Sequence, residues 1–136
     1  MKIIIRSKNI KLDKTLDDFI EEKIGSLRKF INILRRGGGI GKSPVEVFVE
    51  IEKETRHHQT GPFFRTEVQM RLPGKSIRVE ARGMDLNLAV VEVKDELQRE
   101  IKEYKERKIT LERRGKRSIK KRFNINSDAR FHKNKH

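Results

Sequence analysis

Phe64-Arg65-Thr66-Glu67-Val68-Gln69-Met70-Arg71-Leu72-Pro73-Gly74-Lys75-Ser76-Ile77-Arg78-Val79-Glu80-Ala81-Arg82 is the stretch whose reading decides the fold. Phe64, Thr66, Val68, Met70 and Leu72 alternate with Arg65, Glu67, Gln69 and Arg71. The alternation resumes with Ile77, Val79 and Ala81 against Arg78, Glu80 and Arg82. Successive side chains of a strand point to opposite faces, so each run reads as a strand with one buried and one wet face. Pro73-Gly74-Lys75 between them is a tight turn, which makes the pair an antiparallel hairpin.

Upstream, Val45, Val47, Val49 and Ile51 alternate with Glu46, Glu50 and Glu52, giving another half-buried strand. Residues 2–6 read as a short strand with Ile3 and Ile5 on one face. Between these two lies a helical pattern. Asp13 is placed to cap its N-terminus. Leu16, Ile20, Ile24, Leu27, Ile31 and Leu34 recur at helical spacing, and Phe19 and Phe30 widen the stripe. Asp17, Asp18, Glu21 and Glu22 come early and Arg28, Lys29, Arg35 and Arg36 late, as the helix dipole favours. Gly37-Gly38-Gly39 stops the helix, and a flexible connector runs to Pro44.

Downstream of the hairpin, Gly83-Met84-Asp85 ends the strand and caps a second helix. Leu86, Ala89, Val90, Val93, Leu97, Ile101 and Tyr104 form its apolar face, and it is expected to end near residue 112. The order is β-α-β-β-β-α. The expected fold is α+β, a four-stranded sheet with both helices packed on one face. Residues 1–112 form the expected domain. Residues 113–136 are a basic C-terminal arm, expected to be disordered because Ile119, Phe123, Ile125 and Phe131 are too sparse to build a core.

Lys and Arg number 34 against 20 Asp and Glu, a formal net charge of +14. Ten basic residues and one acid, Asp128, fall in 113–136, so the arm carries +9 and residues 1–112 carry +5. A polyanion partner follows, and nucleic acid is the commonest. The arm lacks the sustained apolar face that a membrane-surface helix needs. No stretch approaches the ~20 apolar residues of a membrane span. Ile3-Ile4-Ile5 after Lys2 is too short for a signal-peptide core. With no cysteine in the chain there is neither a disulfide nor a thiolate metal site. The expected location is the cytoplasm.

An enzyme needs a nucleophile, a tuned acid–base pair, a metal or a cofactor loop. His57-His58 sits in a turn without a third ligand, and His132 and His136 belong to the arm, so no metal is expected. Gly37-Gly38-Gly39-Ile40-Gly41-Lys42-Ser43 is one residue short of a phosphate loop and follows a helix instead of a strand. No cofactor, small-molecule substrate or catalytic residue is assigned, and an RNA-modifying activity has no supporting site.

The charge pattern instead offers RNA contacts. Lys23, Arg28 and Lys29 lie off the first helix's apolar stripe. Arg99, Lys102, Lys105, Arg107 and Lys108 crowd the second helix, with Glu103 and Glu106 close to Lys102. Arg78 and Arg82 project opposite the core side of their strand. Such cations release counterions from phosphates on binding. No exposed aromatic pair stands out as a stacking platform, which favours recognition of shape and backbone.

Several of these residues fall in a familiar order. Ile3-Ile4-Ile5-Arg6-Ser7-Lys8-Asn9 followed by Leu12-Asp13, Leu16-x-x-Phe19-Ile20-x-x-Lys23-Ile24-x-x-Leu27-x-x-Phe30, and Arg78 through Val90 with Gly83-Met84-Asp85 resemble the ribosome hibernation promoting factor family. That family includes ribosome-associated inhibitor A, and the resemblance covers roughly residues 1–108. It implies a fold similar to double-stranded-RNA-binding domains. It further implies binding to the small ribosomal subunit and its rRNA, in the mRNA and tRNA path, to silence idle ribosomes. By position it makes Lys23, Arg99, Lys105, Arg107 and Lys108 the rRNA contacts. Asn87, Val91 and Ser26 depart from residues common in the family, and 37–43 and 55–62 are atypical. The arm is too short and polar to be the ribosome-pairing domain of the long form. The expected protein is therefore a monomer off the ribosome that does not dimerise ribosomes by itself. The alternative is a structural RNA-binding or ribosome-assembly protein of the same fold.

Overall fold

The computed structural model describes residues 1–37, 40–54 and 61–130, with side chains as far as residue 115. The elements are β1 (Lys2–Lys8), α1 (Lys14–Gly25), α2 (Arg28–Arg36), β2 (Glu46–Glu54), β3 (Phe63–Leu72), β4 (Lys75–Gly83) and α3 (Leu86–Arg130). The strands form one four-stranded sheet in the order β1-β2-β3-β4. β1 runs parallel to β2, which requires the crossover that α1 and α2 supply, and the other pairs are antiparallel.

Alternation sorts the sheet into two faces. Val47, Val49, Ile51, Val68, Met70, Ile77 and Val79 are buried on one. The same core holds Ile20, Ile24, Leu27, Ile31 and Leu34 from α1 and α2, and Leu86, Ala89, Val90, Val93, Leu97 and Ile101 from α3. Each such aliphatic side chain contributes about 1.5–3 kcal/mol by leaving water. The helices therefore cover one face, as the amphipathic patterns require. The hairpin turn is Pro73-Gly74, with Gly74 at φ +76°. Proline presets the second position of a type II turn, and the third needs the positive φ that glycine takes freely.

Both predicted caps form. Asp13 Oδ1 accepts from the backbone of Leu16 at 2.8 Å, and Asp85 Oδ1 from that of Leu88 at 3.2 Å. Two expectations differ. The first helical stripe is one long pattern, yet the chain makes two helices with a break at Ser26 and Leu27. Ser26 Oγ donates to the Lys23 carbonyl at 2.6 Å, while the Leu27 amide turns to Ile24 at 3.0 Å. The hydroxyl takes the acceptor that the next helical turn would use, so the ladder tightens and restarts. The second helix was expected to end near residue 112, and its backbone continues to Arg130.

The glycine-rich connector is tied down at its far end. Ile40 is buried, and Arg35 Nη1 donates to the carbonyls of Gly41 (3.0 Å) and Ser43 (2.7 Å). Gly38, Gly39, His57, His58, His132 and His136 lie outside the described residues. No helix among the described residues is long and apolar enough to cross a membrane. The chain divides into two compact units, Met1–Lys102 and Glu103–His136.

Candidate nucleic-acid interface

The helices of the first unit present cations from the side opposite their buried stripe. Lys23 is half-buried, with its ammonium 5.7 Å from the centre of the Phe19 ring. Lys29 is exposed, 5.2 Å from the Phe30 ring. Arg28, the first residue of α2, lies across Gly25, where an added Cβ would sit 2.7 Å from Nη1. Its Nη2 donates to the Met1 carbonyl at 3.5 Å. Glycine at position 25 thus makes room for the guanidinium at the α1–α2 elbow. On α3, Arg99 pairs with Glu96, and Lys102 is exposed without an ion pair among the described residues.

In the second unit, Lys105 is exposed and carries no ion pair among the described residues. Arg107 lies 3.6 Å from Glu103. Lys108 sits 5.7 Å from the Tyr104 ring. Glu103, whose closeness to Lys102 counted against that lysine in the sequence, is directed to Arg107 instead.

Arg78 and Arg82 are elsewhere, on the open face of the sheet. Strand register sorts that face into lateral rows. One row is Ile4, Phe48, Gln69 and Arg78; the next is Arg6, Glu50, Glu67 and Glu80; the next is Lys8, Glu52, Arg65 and Arg82. Three carboxylates side by side repel one another. Arg65 resolves the conflict. Its side chain is 14% exposed and contacts Glu50 at 2.5 Å, Glu52 at 3.1 Å, Glu80 at 3.3 Å and Glu67 at 3.5 Å. Burial alone would lower the Arg65 pKa. Hydrogen bonds to Glu50, Glu52 and Glu80 outweigh burial and raise it, so the charge is fixed.

The two predicted contacts belong to this lattice. Arg78 reaches Glu67 at 2.7 Å, and Arg82 reaches Glu54 at 3.1 Å and Glu80 at 2.5 Å. Among the described residues the open face carries seven cations (Lys2, Arg6, Lys8, Arg65, Arg71, Arg78, Arg82) and six glutamates (46, 50, 52, 54, 67, 80). The ten predicted residues do not share one surface. The helices carry Lys23, Arg28, Lys29, Arg99 and Lys102; the sheet's opposite face carries Arg78 and Arg82; Lys105, Arg107 and Lys108 belong to the second unit.

Sequence reasoning missed one feature of the open face. Ile4, Arg6, Phe48, Gln69 and Arg71, with Glu50 and Glu67 at one end, line a groove of about 280 Å³. The Arg71 guanidinium lies over the half-buried Phe48 ring, 5.0 Å from its centre. The available signal was a lone phenylalanine in a strand register otherwise filled by Glu46, Glu50, Glu52 and Glu54.

Similarities to known proteins cover most of the chain. A family described as sigma 54 modulation protein / S30EA ribosomal protein matches residues 3–109. A ribosome hibernation promotion factor from Lactococcus lactis subsp. cremoris is 27% identical over 109 residues, which are 79% of this chain and 51% of that protein. The chain thus spans about half the length of this curated relative. Among solved structures, the Thermus thermophilus Protein Y N-terminal domain superposes with a TM-score of 0.59 at 22% identity, covering 76% of this chain and 99% of the domain. A ribosomal subunit interface protein from Coxiella burnetii gives a TM-score of 0.57 at 14% identity, covering 77% and 98%. At those identities the two structures bear on the fold alone.

Proposed function

Since this chain belongs to the sigma 54 modulation protein / S30EA ribosomal protein family, we propose that it is a dormancy factor that binds the ribosome and keeps idle ribosomes out of translation. The observation that carries this reading is the family match over residues 3–109, which span the sheet and its helices. The name of the Lactococcus relative supports it.

On this reading the domain occupies the mRNA and tRNA path of the small subunit in the cytoplasm, working without cofactor, small-molecule substrate or catalysis. It is a monomer off the ribosome. The rRNA contacts come first from Lys23, Arg28, Lys29, Lys102, Lys105 and Lys108, which make no ion pair with a carboxylate among the described residues. Arg99 and Arg107 exchange exposed glutamates for phosphates at little cost, because such exposed pairs are worth about 0–1 kcal/mol. Residues 113–136 act as a basic arm that adds affinity through counterion release. The test is in-vitro translation with purified ribosomes. Saturating protein should block initiation and tRNA binding and protect the decoding region from chemical footprinting. Ribosomes that bind the protein yet initiate normally would favour an assembly or structural role instead.

A further inference from the structure

We propose that the groove around Phe48 on the open sheet face holds one unstacked base of a single-stranded RNA. This rests on the reading that the chain binds RNA, and it adds a site that the helical cations do not include.

The argument begins with what is unusual about the groove. A wet strand face ordinarily carries polar side chains, and here the register of β2 puts a phenylalanine among four glutamates. The two carboxylates that line the groove, Glu50 of β2 and Glu67 of β3, are already paired. Glu50 is held by Arg65 at 2.5 Å, and Glu67 by Arg78 at 2.7 Å. Arg6 and Arg71 make no ion pair among the described residues, and Arg71 rests on the ring. The lattice thus pairs the groove's own acids with other arginines and leaves Arg6 and Arg71 available for phosphate.

The remaining chemistry fits a base. An aromatic face beside a planar guanidinium stacks on any nucleobase. Gln69 donates to Ser76 Oγ at 2.9 Å through Nε2, so its carbonyl oxygen is free to accept from a base edge. Lys2, Ile4, Arg6 and Lys8 share the open face of the edge strand β1. Of its cations, Arg6 and Lys8 are two residues apart, ~6.8 Å along a strand; Lys8 lies 3.8 Å from Glu52, so Arg6 is the β1 cation offered to a phosphate beside the groove. Because the ring lies within the sheet face, only a base outside a duplex stack reaches it. A single strand therefore fits and a duplex does not.

The chain has no tryptophan, so Phe48→Trp places a single reporter in the groove of this chain. It is titrated with a ten-nucleotide single-stranded RNA, a blunt duplex at matched phosphate concentration, and an acidic peptide. Saturable quenching by the single strand alone is expected. Phe48→Leu should weaken single-strand binding by about 5- to 100-fold, the usual effect of losing one stacked base. Phe48→Tyr should restore it, and duplex affinity should stay unchanged in both. Arg6→Gln should lower the salt slope by about 0.7, as one lost phosphate contact on a single strand does. Equal quenching by duplex or peptide, or Phe48→Leu within twofold of the parent while Phe48→Tyr also binds normally, overturns the proposal. Co-sedimentation of the parent with small subunits separates the two readings. If the parent sediments and Phe48→Leu matches it on oligonucleotides, the groove alone is wrong. If the parent does not sediment but quenching is saturable and single-strand-specific, the ribosomal reading is wrong and the groove stands.

Discussion

Replacing Arg65 by methionine should cost about 2–3 kcal/mol of stability at neutral pH. Methionine fills similar space without charge, so the change isolates the electrostatics. It removes one guanidinium from four carboxylates, at 2.5 Å (Glu50), 3.1 Å (Glu52), 3.3 Å (Glu80) and 3.5 Å (Glu67). Removing one partner of a fully buried pair costs about 3–5 kcal/mol, and of an exposed one about 0–1 kcal/mol. The Arg65 side chain is 14% exposed, while its partners range from 17% to 42%, which places the loss between those limits. For a domain of about 100 residues this lowers Tm by roughly 10–20 °C.

The deficit should also depend on pH with a definite sign. Without Arg65, Glu50, Glu67 and Glu80 stand in adjacent register, with Arg78 and Arg82 as their ion-pair partners and Arg6 beside Glu50. Repulsion makes the folded variant hold a proton that its unfolded chain releases. Stability of the variant therefore rises as pH falls from 7 towards 5, by at most about 1.4 kcal/mol per pH unit for each proton. In the parent, Arg65 stays charged in both states at any pH below the range where arginine titrates, and its raised pKa extends that range upward. Arg65 itself thus adds no pH dependence there. Adding Glu67→Gln to Arg65→Met removes the middle carboxylate and should recover about 1 kcal/mol as coupling. Urea melts at pH 5, 6 and 7 read all three quantities. A loss below ~0.5 kcal/mol at pH 7, or a deficit that ignores pH, refutes the account.

Thr66 is fully buried and its Oγ1 has no hydrogen-bond partner among the described residues, so Thr66→Val should be neutral or stabilise by about 1 kcal/mol; a calorimetric Tm lower than the parent's counts against it. Asp85→Ala deletes the side-chain acceptor at the start of α3 and should cost about 1 kcal/mol in a denaturant melt, whereas Asp85→Asn should cost little. Lys102→Gln with Lys105→Gln should weaken small-subunit binding and flatten the log–log salt slope by about 1.4–1.8, while Arg78→Gln should move it much less because that charge faces Glu67. Deleting residues 113–136 should likewise weaken binding and flatten the slope, and a slope that does not change removes the arm from the interface.

The hairpin, the two capped helix starts and the single buried sheet face were legible because each depends on neighbours in sequence. Alternation reports a strand face, and Pro73-Gly74 reports a turn, without knowledge of any partner. The break at Ser26 was not legible from periodicity. Ile20, Ile24, Leu27, Ile31 and Leu34 are all buried across it, so the apolar stripe continues while the backbone ladder does not. The only local sign was Gly25-Ser26, two poor helix formers, the second with a hydroxyl able to take a carbonyl.

The candidate site was less legible because a net charge gives the number of cations and not their partners. Glu50, Glu67 and Glu80 come from three strands, and only the register makes them neighbours. Once they are neighbours, Arg65, Arg78 and Arg82 are committed to the sheet itself, since planar guanidinium forks suit several carboxylates at once. Arg78 and Arg82 looked equivalent to the helical cations only while that register was unknown. Arg78 and Arg82 each face a glutamate, whereas among the described residues the exposed Lys29, Lys102 and Lys105 of the helices do not, which makes those lysines the more available partners for phosphate. The same pairing occupies Glu50 and Glu67 beside Phe48. If the groove binds a base, one arginine links stability to recognition: losing Arg65 would unbalance the carboxylate row and leave Glu50 unpaired at the groove, while Glu67 keeps Arg78. Arg65→Met should therefore weaken single-strand binding beyond what its loss of stability explains, even at temperatures where the variant is fully folded.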